Sequence, residues 1–251
     1  SLNPSFTKTL INENPSFVTR YLSPVTHHYF ITFAQSLYQN TNLPNLENQN
    51  GNYFPKGYGV FSSLLLQYRS SHFTLTTEPM ISDSKQYEIS IPHKENEFSV
   101  LNDVPLLDIY KQNRFRNTGL KLHFYGISAG FGNWDQWWGP GIHNSLSLSN
   151  NAQGFYHYYI GTDGNQSVGK YVDFSFKYLA SRPMQNLKGD DYFLSAWFLK
   201  AKYKFLELGL NRNVVSGGYP DLPWEQEDVL TVLIDQNNIK YWDTINTYYI
   251  L

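Results

Sequence analysis

The sequence predicts an all-β fold, an antiparallel transmembrane β-barrel, and three observations predict it. Charged residues make up 16% and aromatic residues 17% of the 251 positions, whereas an ordinary soluble domain carries about 25% charge. The mean hydropathy is −0.44, and no window of about 20 residues is free of polar groups, which excludes apolar spanning helices. Several stretches alternate apolar and polar residues with period two, as strands do when one face meets lipid and the other a watery lumen. A soluble β-sandwich carbohydrate-binding module shares much of this composition and stays open as the alternative.

The strands are justified in chain order. His28 to Tyr38 is the first candidate. Tyr58 to Tyr68 is the clearest: Tyr58, Val60, Ser62, Leu64, Leu66 and Tyr68 share one face, with Tyr at both limits. An aromatic girdle at each interface requires that layout. His72 to Thr77 and Thr118 to Phe131 follow, then Phe155 to Thr162. In Tyr171 to Ala180 the residues Val172, Phe174, Phe176, Tyr178 and Ala180 oppose Asp173, Ser175 and Lys177. Tyr192 to Lys202 and Tyr203 to Arg212 read as a hairpin with its turn near Lys202 to Lys204. Val229 to Asp235 is a further candidate, and Asn246 to Leu251 reads as the middle of another strand. Long loops are expected near 39–56, 82–117 and 214–228, with Val104 to Tyr110 apolar enough for one or two helical turns. An open sheet edge cannot sit in lipid. With roughly nine to eleven strands of membrane-spanning length, the expectation is one domain over residues 1–251 that forms part of a larger barrel.

Composition also narrows the chemistry. There are no cysteines, so disulfides and thiolate sites are excluded. A net charge of −2 gives no electrostatic footprint for nucleic acid. The seven histidines form no HExxH pair, and adjacent His27 and His28 point to opposite faces of a strand. Asp163, Asn165 and Gln166 alternate oxygen donors in a turn, without the Gly and Glu spacing of a calcium loop. Asp135, Asp190, Asp191, Glu225, Glu227 and Asp228 single out no catalytic carboxylate pair. The expectation is a non-enzyme with no cofactor and no metal.

The most informative stretch is Phe131 to Phe155. Trp134, Trp137 and Trp138 crowd together, Gly139, Pro140 and Gly141 force a turn, and Ser145 to Ala152 follows as an alternating segment. Two readings compete for these residues. Trp faces can stack on sugars while Asp135, His143, Asn144, Asn150 and Asn151 hydrogen-bond hydroxyls; or the Trp residues pack a tight turn or an interfacial belt.

The Trp137 to Gly141 turn followed by Ser145 to Ala152 resembles the signature of the Wzi capsule-assembly family, and Leu206 to Arg212 with Gly217 and Gly218 resembles its Leu-Glu-x-Gly strand. Residues before about Leu120 carry no further match. The resemblance implies a large outer-membrane barrel lectin that holds capsular polysaccharide at the cell surface and is no enzyme. Arg212 joins Trp134, Asp135, Trp137, Trp138, His143, Asn144, Asn150 and Asn151 as the polysaccharide-binding candidates. For an anionic glycan, Arg114, Arg116 and Arg212 are the cations of interest, since guanidinium suits carboxylates. Expected partners are extracellular polysaccharide, outer-membrane lipid and lipopolysaccharide, with other outer-membrane proteins as the alternative if the barrel is a docking subunit.

Overall fold

The computed structural model describes residues 28–41, 52, 54, 56–86, 113–141, 145, 147–150, 153–185, 189–218 and 241–250. Every element among them is a strand: β1 (His28–Asn40), β2 (Gly57–Arg69), β3 (Phe73–Gln86), β4 (Arg114–Phe124), β5 (Ile127–Gly132), β6 (His157–Thr162), β7 (Gln166–Val168), β8 (Val172–Ser181), β9 (Met184–Gln185), β10 (Asp191–Tyr203), β11 (Leu206–Gly217) and β12 (Tyr241–Ile250). They form one sheet in which every pairing is antiparallel. The path runs β1-β2-β3-β4-β5-β6-β8-β10-β11-β12, with β7 alongside β8 and β9 alongside β10. Among the described residues the sheet is open, with β1 and β12 at its two ends. No described helix is long and apolar enough to cross a membrane, which leaves crossing by strands untouched.

The predicted all-β, antiparallel fold is what the structure has, and several boundaries move. The stretch 118–131 is two strands, not one. Tyr125 (φ 47°) and Gly126 (φ 81°) turn the chain between β4 and β5. Left-handed backbone at both central positions is the primed hairpin turn whose twist matches that of the strands it joins. The β10–β11 turn falls at Lys204 and Phe205, with Lys204 at φ 53°. β3 runs on to Gln86, β4 begins at Arg114 and β11 continues to Gly217, so parts of 82–117 and 214–228 are strand. Val104 to Tyr110 and Val229 to Asp235 lie outside the described residues.

Register decides which residues share a face. Tyr29 pairs with Tyr68, Ile31 with Leu66 and Phe33 with Leu64. Tyr68 pairs on with Leu75, Leu75 with Leu120, and Phe73 with Leu122. Because side chains alternate, these residues build one outer apolar face, on which Ile31 is 70% and Leu122 58% exposed. At the end with the short turns the face closes in aromatics: Tyr29, Tyr68, Phe73, Phe124, Tyr125, Tyr171, Tyr203 and Phe205. Tyr125 and Phe205 are the most exposed, at 91% and 90%. Lys204 lies over the rings of Tyr171 and Tyr203. Towards the opposite end the outer face is covered, and Tyr178, Ala180, Phe193 and Val214 form a buried cluster there.

The inner face is polar and finely graded in size. Thr74, Thr76, Glu78, Arg116, Ser128, His157, Ser175, Asn211 and Asn213 are buried on it. Gly119 and Gly132 leave room above the sheet, and that room is filled by Trp134 of the chain between β5 and β6.

Candidate functional site on the inner face

After β5 the chain passes across the inner wall as a strap fastened at its start by side chains. Asn133 continues the β5 pairing: its backbone N donates to Thr118 O at 3.0 Å, its Oδ1 accepts from Thr118 N at 2.7 Å, and its Nδ2 donates to Phe115 O at 2.7 Å. Trp134 then lies flat on the glycine pair Gly119–Gly132. A Cβ on Gly119 would stand 2.5 Å from Trp134 Cζ2, and one on Gly132 2.8 Å. No real Cβ tolerates such a distance, so the strap can lie this close only because both positions are glycine. Tyr159 and His157 meet the Trp134 ring edge-on, at 6.4 and 5.8 Å between centroids.

Asp135 is the electrostatic anchor. Nε and Nη2 of Arg116 both donate to Asp135 Oδ2, at 2.8 and 2.7 Å, and Arg116 Nη1 lies 3.6 Å from Glu78 Oε1. The strand beneath is bulged: the β3–β4 register shifts between Thr76 and Glu78, and Asn117 sits opposite the shift at φ 45°. Asn is among the few residues that accept left-handed backbone, and a bulge re-aims side chains. Here Asn117 Oδ1 accepts from Asp135 N at 2.9 Å and Asn117 Nδ2 donates to Glu78 Oε2 at 2.8 Å. Burial is the largest influence on the Asp135 carboxyl and raises its pKa, against the pull of Arg116. Two carboxylates, one guanidinium and one amide thus satisfy one another in a place where a lone charge would be costly.

Beyond Asp135 the strap folds into a small hairpin. Trp138 N donates to Leu148 O at 3.0 Å and Ser147 N to Trp138 O at 3.2 Å. Trp137 Nε1 donates to Gly141 O at 2.7 Å, which closes the Gly-Pro-Gly turn. Trp138 is fully buried against Leu179, Ala196 and Phe198, with Leu148 and Phe155 beside it, and its ring stacks on Phe198 at 5.6 Å. Removing such a side chain from a core costs about 3–5 kcal/mol. Its indole N–H donates to Gln136 Oε1 at 3.1 Å. The strap therefore reaches from β4 to β10 across the inner face of the intervening strands.

Of the residues singled out in the sequence, the strap brings Trp134, Asp135 and Trp138 together as buried groups. Trp137 and Asn150 are half-buried on the hairpin. His143, Asn144 and Asn151 lie outside the described residues. Arg212 pairs with Trp197 in register, and Trp197 pairs with Tyr178. Alternation therefore puts Arg212 on the outer face, across the sheet from Trp138. Arg116 is committed to Asp135 and Glu78, and Arg114 Nη2 donates to Asn52 Oδ1 at 3.2 Å. Glu78, Asn117, Asn133 and His157 are parts of the arrangement that the sequence reading missed. The available signal was their place among polar residues alternating with apolar ones, which marks the wet face without naming a partner.

A second polar cluster ties the inner wall together near the short turns. Arg69 Nη2 reaches Asp163 Oδ1 and Oδ2 at 3.1 and 3.0 Å, His123 Nδ1 lies 3.3 Å from Asp163 Oδ2, and His123 Nε2 lies 2.7 Å from Thr74 Oγ1. Burial alone would raise the Asp163 pKa. The hydrogen bond from His123 and the charge of Arg69 outweigh it and hold the carboxyl below its ordinary range. Asp163, weighed above as a calcium donor, thus faces Arg69 and His123, and no described group of three His, Asp or Glu residues could hold a metal ion.

An antiparallel meander with an apolar outer face, a polar inner face and a strap crossing that inner face defines a barrel-type β protein. The family described as capsule assembly protein Wzi matches residues 35–247, and the chain belongs to it. Neither a curated protein nor a solved structure matches the chain. The match takes in the Trp137 to Gly141 turn and the Leu206 to Arg212 strand, so the resemblance drawn from those motifs holds. Capsule assembly is the role the family assigns.

Proposed function

We propose that the chain is a non-enzymatic outer-membrane barrel that binds capsular polysaccharide and holds it at the cell surface. The observation that carries this reading is the two-faced wall. An apolar face rimmed by Tyr and Phe suits lipid, with the short turns on the periplasmic side as in bacterial barrels. A polar face crossed by an aromatic strap suits a hydrated glycan. Membership of a capsule-assembly family supplies the ligand class. Within the strap, burial removes Trp138 from sugar contact and favours Trp137, half-exposed beside Pro140, as the stacking residue. Its indole N–H is already used in the turn, so its ring face is what it offers.

The test is binding of purified capsular polysaccharide to the detergent-solubilised protein by isothermal titration calorimetry. Wild type should bind, and Trp137→Ala should weaken binding about tenfold, a loss of about 1.4 kcal/mol, with a fall in thermal unfolding no larger than the loss of the Trp137–Gly141 hydrogen bond accounts for, about 1 kcal/mol. A wild-type protein that binds no capsule would overturn the reading. Full binding by Trp137→Ala would move the site off the hairpin and favour the packing role for all three Trp residues.

A further inference from the structure

Two lysines from neighbouring turns meet over one tyrosine ring at the short-turn rim of the outer face. Lys170 Nζ lies 5.6 Å and Lys204 Nζ 5.4 Å from the centroid of Tyr171, and Lys204 Nζ lies 5.3 Å from that of Tyr203. The turns are tied together: Lys204 N donates to Tyr171 O at 3.4 Å, and the two tyrosine rings meet edge-on at 6.3 Å. Lys204 holds φ 53°, a conformation that glycine adopts without strain. The lysine supplies what glycine cannot, an ammonium group over two rings. Both lysines are exposed, and neither makes an ion pair among the described residues. Asp173 and Glu207, the acidic residues of the adjoining strand ends, both pair in register with Lys202 and alternate with it to the inner face.

Behind this rim the outer face is apolar. Val172, Tyr203 and Leu206 form a row across β8, β10 and β11, and Phe174, Ala201 and Leu208 form the next. Val172, Leu206 and Leu208 are exposed, and Ala201 leaves a shallow groove between the larger Phe174 and Leu208. Cations over aromatic rings at the end of an apolar strip stand at the level of lipid headgroups. An ammonium group on a ring face keeps N–H groups free for a further acceptor. We propose that Lys170 and Lys204 bind the phosphate of an anionic phospholipid in the periplasmic leaflet, with an acyl chain lying along the groove over Ala201. A zwitterionic headgroup brings its own ammonium against the two lysines and is disfavoured. The proposal rests on the outer face meeting lipid and is independent of polysaccharide binding.

The experiment titrates the detergent-solubilised full chain with phosphatidylglycerol or with phosphatidylethanolamine of the same acyl chains and reads the bound lipid by native mass spectrometry. Wild type should bind phosphatidylglycerol at least about tenfold more tightly, the effect of two lysines beside an anionic group. The double variant Lys170→Gln/Lys204→Gln should lose that preference, and the double Arg variant should keep most of it. Lys202→Gln, which removes the same charge from the inner face, should leave it unchanged. Folding is checked by heat-modifiable electrophoretic mobility; if the double Gln variant does not fold, the single variants carry the test, each losing part of the preference. Equal binding of the two lipids, a preference that survives the double Gln variant, or one lost equally in Lys202→Gln overturns the site and leaves the lipid-facing wall standing. Partition of the chain into water without detergent overturns the lipid-facing wall itself, whereas failure to bind capsule touches neither.

Discussion

Arg116 on β4 and Asp135 in the strap are joined by two hydrogen bonds of 2.7 and 2.8 Å to one carboxylate oxygen, at a place where both side chains are nearly excluded from solvent. This contact determines how the strap leaves β5, because the next residues must turn towards Phe198 once Asp135 is fixed. Glu78 and Asn117 complete the cluster, so neither charge is left to water or to apolar surroundings.

Removing one partner of a buried pair leaves the other charge uncompensated, which costs about 3–5 kcal/mol. Arg116→Ala and Asp135→Ala should each lower stability by about that amount in denaturant titrations of the detergent-solubilised protein. The double variant should cost clearly less than the sum of the two. Additive losses would show that the two residues do not act as a unit.

The cluster around Asp163 gives a pH dependence whose sign follows from its lowered pKa. A carboxyl that ionises more readily when folded contributes stability above its unfolded pKa of about 4. It loses that contribution as the pH falls through the lower folded value. Thermal unfolding should therefore show no Asp163-dependent change between pH 7 and 5 and a falling midpoint below about pH 4. Asp163→Asn should remove that part of the acid sensitivity, along with the hold on Arg69 and His123. An acid profile identical in wild type and Asp163→Asn would show that the cluster is not linked to stability.

Leu64 stands at the middle of β2 on the outer face, between Phe33 and the rest of the apolar band. If that face meets lipid, Leu64→Arg should destabilise the barrel by up to about 2–4 kcal/mol, the cost of a cation near the bilayer midplane. Ser63→Lys, one position away on the inner face, should cost less. Urea unfolding of both variants in lipid vesicles checks this, and equal losses at the two positions would argue against a lipid-facing outer wall.

Legibility in the sequence followed the range of the interactions. The face from Tyr58 to Tyr68 was readable because period two is a local property and each residue reports its own environment. The division of 118–131 into two strands was not, because Tyr125-Gly126 is a weaker turn signal than Asn-Gly and the flanking residues alternate through it. The importance of Phe131 to Phe155 was readable from its composition. Its choice between stacking a sugar and packing a wall was not, since both uses favour the same Trp residues.

By itself the sequence determined the fold class, the family and the two-faced character of the strands, all of which depend on residue type and on spacing along one chain. Only the tertiary structure decided that Trp134 rests on Gly119 and Gly132, that Asp135 belongs to Arg116, and that Arg212 faces away from the strap. Those relationships join strands distant in sequence, and their registers follow from pairing and from the bulge at Asn117. A shift of one residue in any register would send each of these side chains to the other face.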